Sequence, residues 1–328
     1  MPEPLLQLEG VTKTFPVPRT LWTRFRKLQE RVHAVVDVSL EVRRGETLGL
    51  VGESGSGKTT LARLIVRLLE PEKGRIRFES RDVTHIRGFE LRRARIGLQM
   101  IFQDPYASLN PRLRVGDAIS EPLRVHRIVP PNDTAAETAR LLEQVGLLPR
   151  HAGRYPFELS GGQRQRVGIA RALAVRPLIL VADEAVSALD VSIQAQVLNL
   201  LADLRDQLGL TLVLISHDLG VVEYLSDRIG VMYLGRLVEV GGAVGVFRRP
   251  AHPYTQGLVR AIPVPDPRVR TQAAAVQGEL PSPVHPPTGC VFRTRCPIAQ
   301  PICETEPPLI RVGDAHVAAC HFATPAPA

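Results

Sequence analysis

Gly52-Glu53-Ser54-Gly55-Ser56-Gly57-Lys58-Thr59-Thr60 is the stretch that decides the fold. It matches G-x-x-x-x-G-K-[ST], a loop built to cradle phosphate groups. The apolar run Thr47-Leu48-Gly49-Leu50-Val51 precedes it and reads as a buried strand. Residues 61–69 follow with apolar positions at helical spacing. Strand, glycine loop and helix are the context the motif requires. Glycines let the backbone curl until its N–H groups face inward. The helix N-terminus adds partial positive charge. Lys58 is then expected on the β- and γ-phosphates of a nucleotide, with the Thr59 hydroxyl on Mg²⁺. A glycine-rich turn with a chance lysine is the alternative.

The chain has 328 residues, enough for one large domain or two modest ones. Hydrophobic residues make up 44% and charged residues 23%, as in ordinary globular proteins. No run reaches the roughly 18 apolar residues of a spanning helix, and Met1-Pro2-Glu3-Pro4 does not open a signal peptide. A cytoplasmic location is expected. The net charge of +8 fits nucleic acid, an anionic membrane surface or nucleotide ligands, and does not choose among them.

Around the loop, residues 5–11 and 32–42 read as strands, joined by a basic insertion at 18–32 that carries the single tryptophan. That insertion is a solvated loop, or a surface for a membrane or partner. A short strand is expected at 75–78 and a buried strand at 96–102, ending at Gln103-Asp104-Pro105. Residues 114–125 and 134–146 look helical, with Asp133 a candidate cap, and form a helical insert. Leu159-Ser160-Gly161-Gly162-Gln163 opens a helix over 164–174. The apolar strand 178–182 ends at Asp183-Glu184, a helix runs to about 208, and the strand 210–215 ends at Ser216-His217-Asp218. A hairpin turns at Gly235. Fifteen of the 28 prolines fall in 241–328, so that tail is expected to be loop-rich and no regular α/β unit.

Two acids at a strand end, beside a phosphate loop, suit hydrolysis. Asp183 is the expected second Mg²⁺ anchor, and Glu184 can polarise an attacking water as general base. Gln103 ends a strand and can reach metal and water. His217 ends another and can contact a γ-phosphate, although a core histidine is the commoner fate of a lone His. A helix-cap pair is the alternative for the acids.

Leu159-Ser160-Gly161-Gly162-Gln163 resembles the signature of the ABC ATPases. The resemblance covers about residues 5–240 and implies an α/β P-loop NTPase fold of ABC type: a mixed-sheet core, a helical insert and a loop-rich C-terminal extension. It divides the chain into an ATPase domain at 1–240, with a helical subdomain at about 104–165, and an extension at 241–328. It also implies that Phe15 stacks on adenine. Residues 52–60, namely Gly52, Glu53, Ser54, Gly55, Ser56, Gly57, Lys58, Thr59 and Thr60, hold the phosphates. Gln103 is the Q-loop residue, on metal and water. Ser160, Gly161, Gly162 and Gln163 bind the γ-phosphate of another subunit's ATP. Asp190 closes the D-loop, and His217 is the switch histidine.

A finer likeness runs through residues 103–111, 187–196, 252–255, 278–283 and 289–297 to the oligopeptide/dipeptide importer ATPases (OppF/DppF type). It implies ATP and Mg²⁺, a head-to-tail pair with a paralogous ATPase subunit, two transmembrane permeases, an extracytoplasmic peptide-binding protein and a peripheral place on the cytoplasmic face of the membrane. Ala185 departs from the family's usual Pro after the catalytic Glu, which loosens a turn beside the base and could slow hydrolysis. Nickel, glutathione or sugar as cargo is one alternative. A soluble nucleic-acid-associated ABC ATPase is another; the single phosphate loop and absent heptads argue against it, so no nucleic-acid partner is expected.

Cys290, Cys296, Cys303 and Cys320 are all the cysteines of the chain and lie in one proline-rich span. Their gaps of five, six and sixteen residues lack the tight knuckle of structural zinc. Similar importer tails carry this pattern, and some are implied to hold a [4Fe–4S] cluster. The expectation is a cluster, with zinc second and four buried free thiols as the plain alternative.

Overall fold

The computed structural model describes residues 3–17, 30–104, 108–187, 189–216, 218–262 and 276–325. The chain forms two units, Met1–His85 with Ser216–Ala328, and Ile86–Ile215.

The first unit carries strands β1 (Leu6–Pro16), β2 (Arg31–Val42), β3 (Thr47–Val51), β4 (Lys73–Phe78) and β5 (Arg81–Asp82) and helix α1 (Lys58–Ile65). Strands β2-β1-β4-β5 make an antiparallel sheet in that order. Leu6, Leu8 and Val11 of β1, Val35, Val38, Leu40 and Val42 of β2, and Ile76 and Phe78 of β4 are buried apolar positions of this sheet. β3 is buried at all five residues, the mark of a parallel strand covered on both faces. It pairs in parallel with β9 (Arg228–Tyr233), which turns at Gly235 into antiparallel β10 (Arg236–Gly242). The turn is as the sequence predicts.

Helix α7 (Leu219–Leu225) precedes β9, and past β10 the unit continues with α8 (Ala243–Arg248), α9 (Pro253–Arg260), β11 (Leu309–Gly313) and β12 (His316–Ala319). β12 pairs antiparallel with β10, and β11 with β12. The predicted loop-rich tail thus lends two strands to the sheet that carries β3 and β9. Ala318, Cys320 and Ala323 form a small core there, with Ala251, Ile310 and Val312 against it.

In the second unit, β8 (Thr211–Ile215), β7 (Ile179–Asp183) and β6 (Leu98–Ile101) lie side by side, both pairings parallel. Helix α6 (Val191–Leu208) makes the crossover from β7 to β8, and Gly209, at φ 64°, closes it in the left-handed conformation. Helices α3 (Val115–Val125), α4 (Thr134–Gln144) and α5 (Gly161–Leu173) make the helical part. Asp133 stands at the N-cap of α4 but its side chain caps nothing. The predicted strand at 96–102 is shorter than expected: helix α2 (Gly88–Gly97) runs up to it, and the strand keeps only Leu98–Ile101. Along the described parts of both units no helix is long and apolar enough to cross a membrane. The whole is an α/β fold, its sheets mixing parallel and antiparallel pairs.

Candidate nucleotide-site residues

In the first unit the loop after β3 is shaped by glycines that no other residue can replace. Gly57 has φ 102°, and a Cβ there would fall 2.1 Å from the Ala34 carbonyl oxygen. Gly52 has φ 150°, and its Cβ would fall 2.2 Å from the Met232 oxygen. The Gly235 N–H donates to the Ser56 oxygen at 2.9 Å and ties the loop to the β9–β10 turn. Lys58 is 4% exposed. Its Nζ donates to the carbonyls of Gly52 (2.8 Å) and Glu53 (3.0 Å) and to Ser56 Oγ (3.4 Å). The ammonium is thus held over the curled loop by the loop's own acceptors. Ser54 and Gly55 are exposed, and Thr59 and Thr60 are half-buried in the first turn of α1. That turn holds no acidic residue to offset the positive helix end. Phe15 is half-buried on β1, with Lys13 Nζ 5.7 Å from its ring centroid.

In the second unit Asp183 ends β7, 3% exposed, and Glu184 follows at φ 45°. This left-handed conformation is rare for a residue with a side chain. It is fixed from three directions: the Glu184 N–H donates to the Ile215 oxygen (3.0 Å), and its carbonyl accepts from the Ser187 N–H (3.1 Å) and Ser187 Oγ (3.0 Å). Gln103 Nε2 donates to Glu184 Oε2 at 2.7 Å. The structure therefore brings together Gln103 and Glu184, which the sequence leaves 81 residues apart.

The signature residues open α5. Ser160 Oγ accepts from the Gln163 N–H (3.3 Å), and Gln163 Oε1 accepts from the Ser160 N–H (3.0 Å), a reciprocal capping box. A Cβ on Gly162 would sit 2.6 Å from Ile193 Cγ2, so that glycine lets α5 pack on α6. Asp190 is the N-cap of α6, exposed, with no side-chain cap bond. His217 lies outside the described residues, as do 18–29 of the basic insertion.

The family described as ABC transporter matches residues 35–187, and the oligopeptide/dipeptide transporter C-terminal region matches 238–303. A probable peptide ABC transporter ATP-binding protein, y4tS of Sinorhizobium fredii, is 50% identical over 100% of this chain and 92% of its own length. The oligopeptide transport ATP-binding protein AppF of Bacillus subtilis is 48% identical over 98% of each. The chain belongs to the ATP-binding proteins of ABC transporters. Among solved structures it resembles the dimeric ATP-binding cassette MJ0796 in a post-hydrolysis state with ADP and Pi: TM-score 0.64, 29% identity, 73% of this chain and 98% of that one. Its similarity to cbiO1 of Clostridium perfringens, part of the ABC transporter complex cbiONQ, has the same TM-score at 26% identity, over 75% of this chain and 91% of that one. It is an ATP hydrolase of the ABC type.

In this ABC ATPase the four cysteines of the tail stand near one another. Cys290, Cys303 and Cys320 are buried, Cys296 is half-buried, and all four are free thiols. Burial pushes the thiols of Cys290, Cys296 and Cys320 up, and the neighbouring cysteines push them further. Among the described residues no group of three or more His, Cys, Asp or Glu could hold a metal ion. The described structure thus gives the iron–sulfur expectation, and zinc with it, no support.

Sequence reasoning missed what the tail does to the phosphate loop. The Glu53 N–H donates to Tyr254 Oη at 2.8 Å. Arg295 Nη1 and Nη2 hold the Glu53 carboxylate at 2.6 and 3.0 Å. Tyr254 and Arg295 lie in stretches whose likeness to importer ATPases is legible, but no local pattern pairs residues 242 positions apart.

Proposed function

We propose that this chain is the ATP-binding and ATP-hydrolysing subunit that powers peptide import through an ABC transporter. The observation that carries the cargo class is the oligopeptide/dipeptide C-terminal region at 238–303, beside relatives named for peptide transport across the full length of the chain. In this reading two transmembrane permeases bind the ATPase at the cytoplasmic face of the membrane. A paralogous ATPase subunit pairs with it head to tail, and an extracytoplasmic binding protein delivers peptide.

The chemistry assigned to each residue is as follows. Phe15 stacks on adenine. Lys58 leaves the carbonyls of Gly52 and Glu53 for phosphate oxygens, exchanging neutral acceptors for charged ones. The N–H groups of residues 52–60 hold the phosphates. Thr59, Asp183 and Gln103 are the groups that would hold Mg²⁺, which supplies charge neutralisation of the phosphates. Glu184 takes a proton from the attacking water as the general base, and Gln103 keeps its carboxylate oriented. Ser160, Gly161, Gly162 and Gln163 offer a capped helix N-terminus to the nucleotide of the opposing subunit, Asp190 borders that contact, and His217 meets the γ-phosphate.

The test is ATP turnover by the purified chain alone and with its permeases and paralogue in liposomes. The chain alone is expected to be slow, because half of each site comes from another subunit, and the assembly is expected to accelerate when binding protein loaded with peptide is added. Stimulation by a binding protein loaded with nickel, glutathione or sugar, and none by peptide, would replace the cargo. Full activity as a dilute monomer would overturn the shared site.

A further inference from the structure

The second residue of the phosphate loop is an acid, and its negative charge opposes that of a triphosphate. Glu53 carries its carboxylate one residue past Gly52, in the stretch whose other groups offer N–H donors and an ammonium. Arg295 answers it. Its guanidinium makes a two-pronged contact to both carboxylate oxygens, at 2.6 and 3.0 Å, while its side chain is only 5% exposed. Two-pronged pairing is the strong form of this interaction, here with the guanidinium buried and the Glu53 carboxylate 29% exposed.

Arg295 is itself held in place. Its Nε donates to the Gln277 oxygen (3.1 Å), and its guanidinium lies 5.8 Å over the Tyr233 ring. Phe292 packs edge-on against Tyr233, with centroids 5.2 Å apart, and against Tyr254 at 5.4 Å. Tyr254 is fully buried and accepts the Glu53 N–H. Its own N–H is taken by His252 Nδ1 at 3.1 Å. Glu239 in turn accepts from the N–H groups of Ala251 and His252 and contacts His316 Nε2 of β12 at 2.7 Å. An unbroken set of contacts thus runs from the C-terminal strands to the phosphate loop, within one unit.

We propose that Arg295 and Tyr254 are positioning residues for nucleotide binding, through which the C-terminal extension fixes Glu53 and cancels its charge. This rests on the reading of residues 52–60 as the phosphate site. Without Arg295 an uncompensated carboxylate would stand in the loop and repel the incoming phosphates. At the distances of one loop, in a partly solvated setting, that repulsion weakens binding by roughly 3- to 10-fold. It grows at low salt, because screening falls. A plain mechanical strap makes a different prediction: loss of Arg295 would then be equally harmful whatever the charge of Glu53.

The experiment is titration of the purified full chain with a fluorescent ATP analogue at low and high salt, with thermal melting in parallel. Arg295→Met is expected to raise Kd roughly 3- to 10-fold at low salt and less at high salt. Arg295→Lys is expected to recover part of the loss. The double variant Arg295→Met with Glu53→Gln is expected to bind within about 2-fold of wild type, because the charge to be cancelled is gone. Glu53→Gln alone keeps the loop N–H groups and leaves the Arg295 charge uncancelled, so it is expected to lower Kd, more at low salt than at high salt; it serves even if Arg295→Met does not fold. An Arg295→Met chain that folds and binds like wild type, a double variant as weak as the single, or weakened binding by Glu53→Gln would each overturn the proposal. A wild-type chain with no saturable binding, or binding that survives Lys58→Ala, would instead overturn the nucleotide-site reading beneath it.

Discussion

The Gln103 amide nitrogen donates to a Glu184 carboxylate oxygen at 2.7 Å. The amide is the donor, so it orients the carboxylate without taking a proton from it. The backbone reinforces this choice, since Glu184 is pinned at φ 45° by Ile215 and Ser187. A residue held in a costly conformation and aimed by a partner is arranged as a base is arranged.

Glu184→Gln is therefore expected to keep ATP binding and to lower hydrolysis by about 10²-fold or more, the scale of a lost general base. Gln103→Ala is expected to cost less, because it frees the carboxylate without removing it. Single-turnover hydrolysis in the assembled transporter separates the two. Rapid turnover by Glu184→Gln would move the role to another group, His217 first.

Lys58→Ala is expected to remove saturable nucleotide binding. The ammonium already sits over the loop, bound to Gly52 and Glu53 carbonyls, and alanine leaves those acceptors without it. Equilibrium titration with a fluorescent ATP analogue checks this, and transporter ATPase near the wild-type rate would refute the assignment.

Much of this was legible in the sequence because it is local. The phosphate loop, the signature cap at Ser160 and Gln163, and the wholly buried strands β3, β7 and β8 are each written within a few residues. Helix α2 was not, because it buries no residue and so shows no apolar stripe. Strand β11 was hidden by its place at the sheet edge, where Leu309 is exposed and no clean alternation survives. The Glu53 contacts to Tyr254 and Arg295 depend on how distant segments fold together, which no spacing reports.

Gly57→Ala and Gly55→Ala provide a graded test of the loop's shape. Both glycines have positive φ, at 102° and 82°. At Gly55 a Cβ would meet only a Leu280 side-chain atom at 3.7 Å, so the cost is backbone strain of about 1–2 kcal/mol. At Gly57 it would meet the Ala34 backbone oxygen at 2.1 Å, and the loop must move. Gly57→Ala is expected to lose more stability than Gly55→Ala by urea denaturation and to lose nucleotide binding with it. Equal losses would mean that the loop is not held against Ala34 as described.

Acid stability depends on His252. The imidazole is 1% exposed, and burial depresses its pKa to about 4, although the Glu239 carboxylate pulls the other way. Its Nδ1 accepts the Tyr254 N–H, so the neutral ring caps α9 and steadies the tyrosine that holds Glu53. In the unfolded chain the same histidine titrates near 6.5. Between those values the unfolded state binds a proton that the folded state refuses, so stability falls as pH drops through this window and is fully present above it. Over the whole window the loss is roughly 3 kcal/mol, and about 2 kcal/mol of it has gone by pH 5. His252→Asn keeps a side-chain oxygen that can cap the helix but removes the titrating group. Its stability is expected to be lower than wild type at pH 7.5, from lost packing, yet to fall less between pH 7.5 and pH 5, by about 2 kcal/mol. Urea midpoints at the two pH values measure this directly, and groups common to both proteins cancel in the comparison. Parallel pH slopes for the two chains would show that His252 is charged in the folded protein or titrates alike in both states, and the neutral cap under Tyr254 would have to be abandoned.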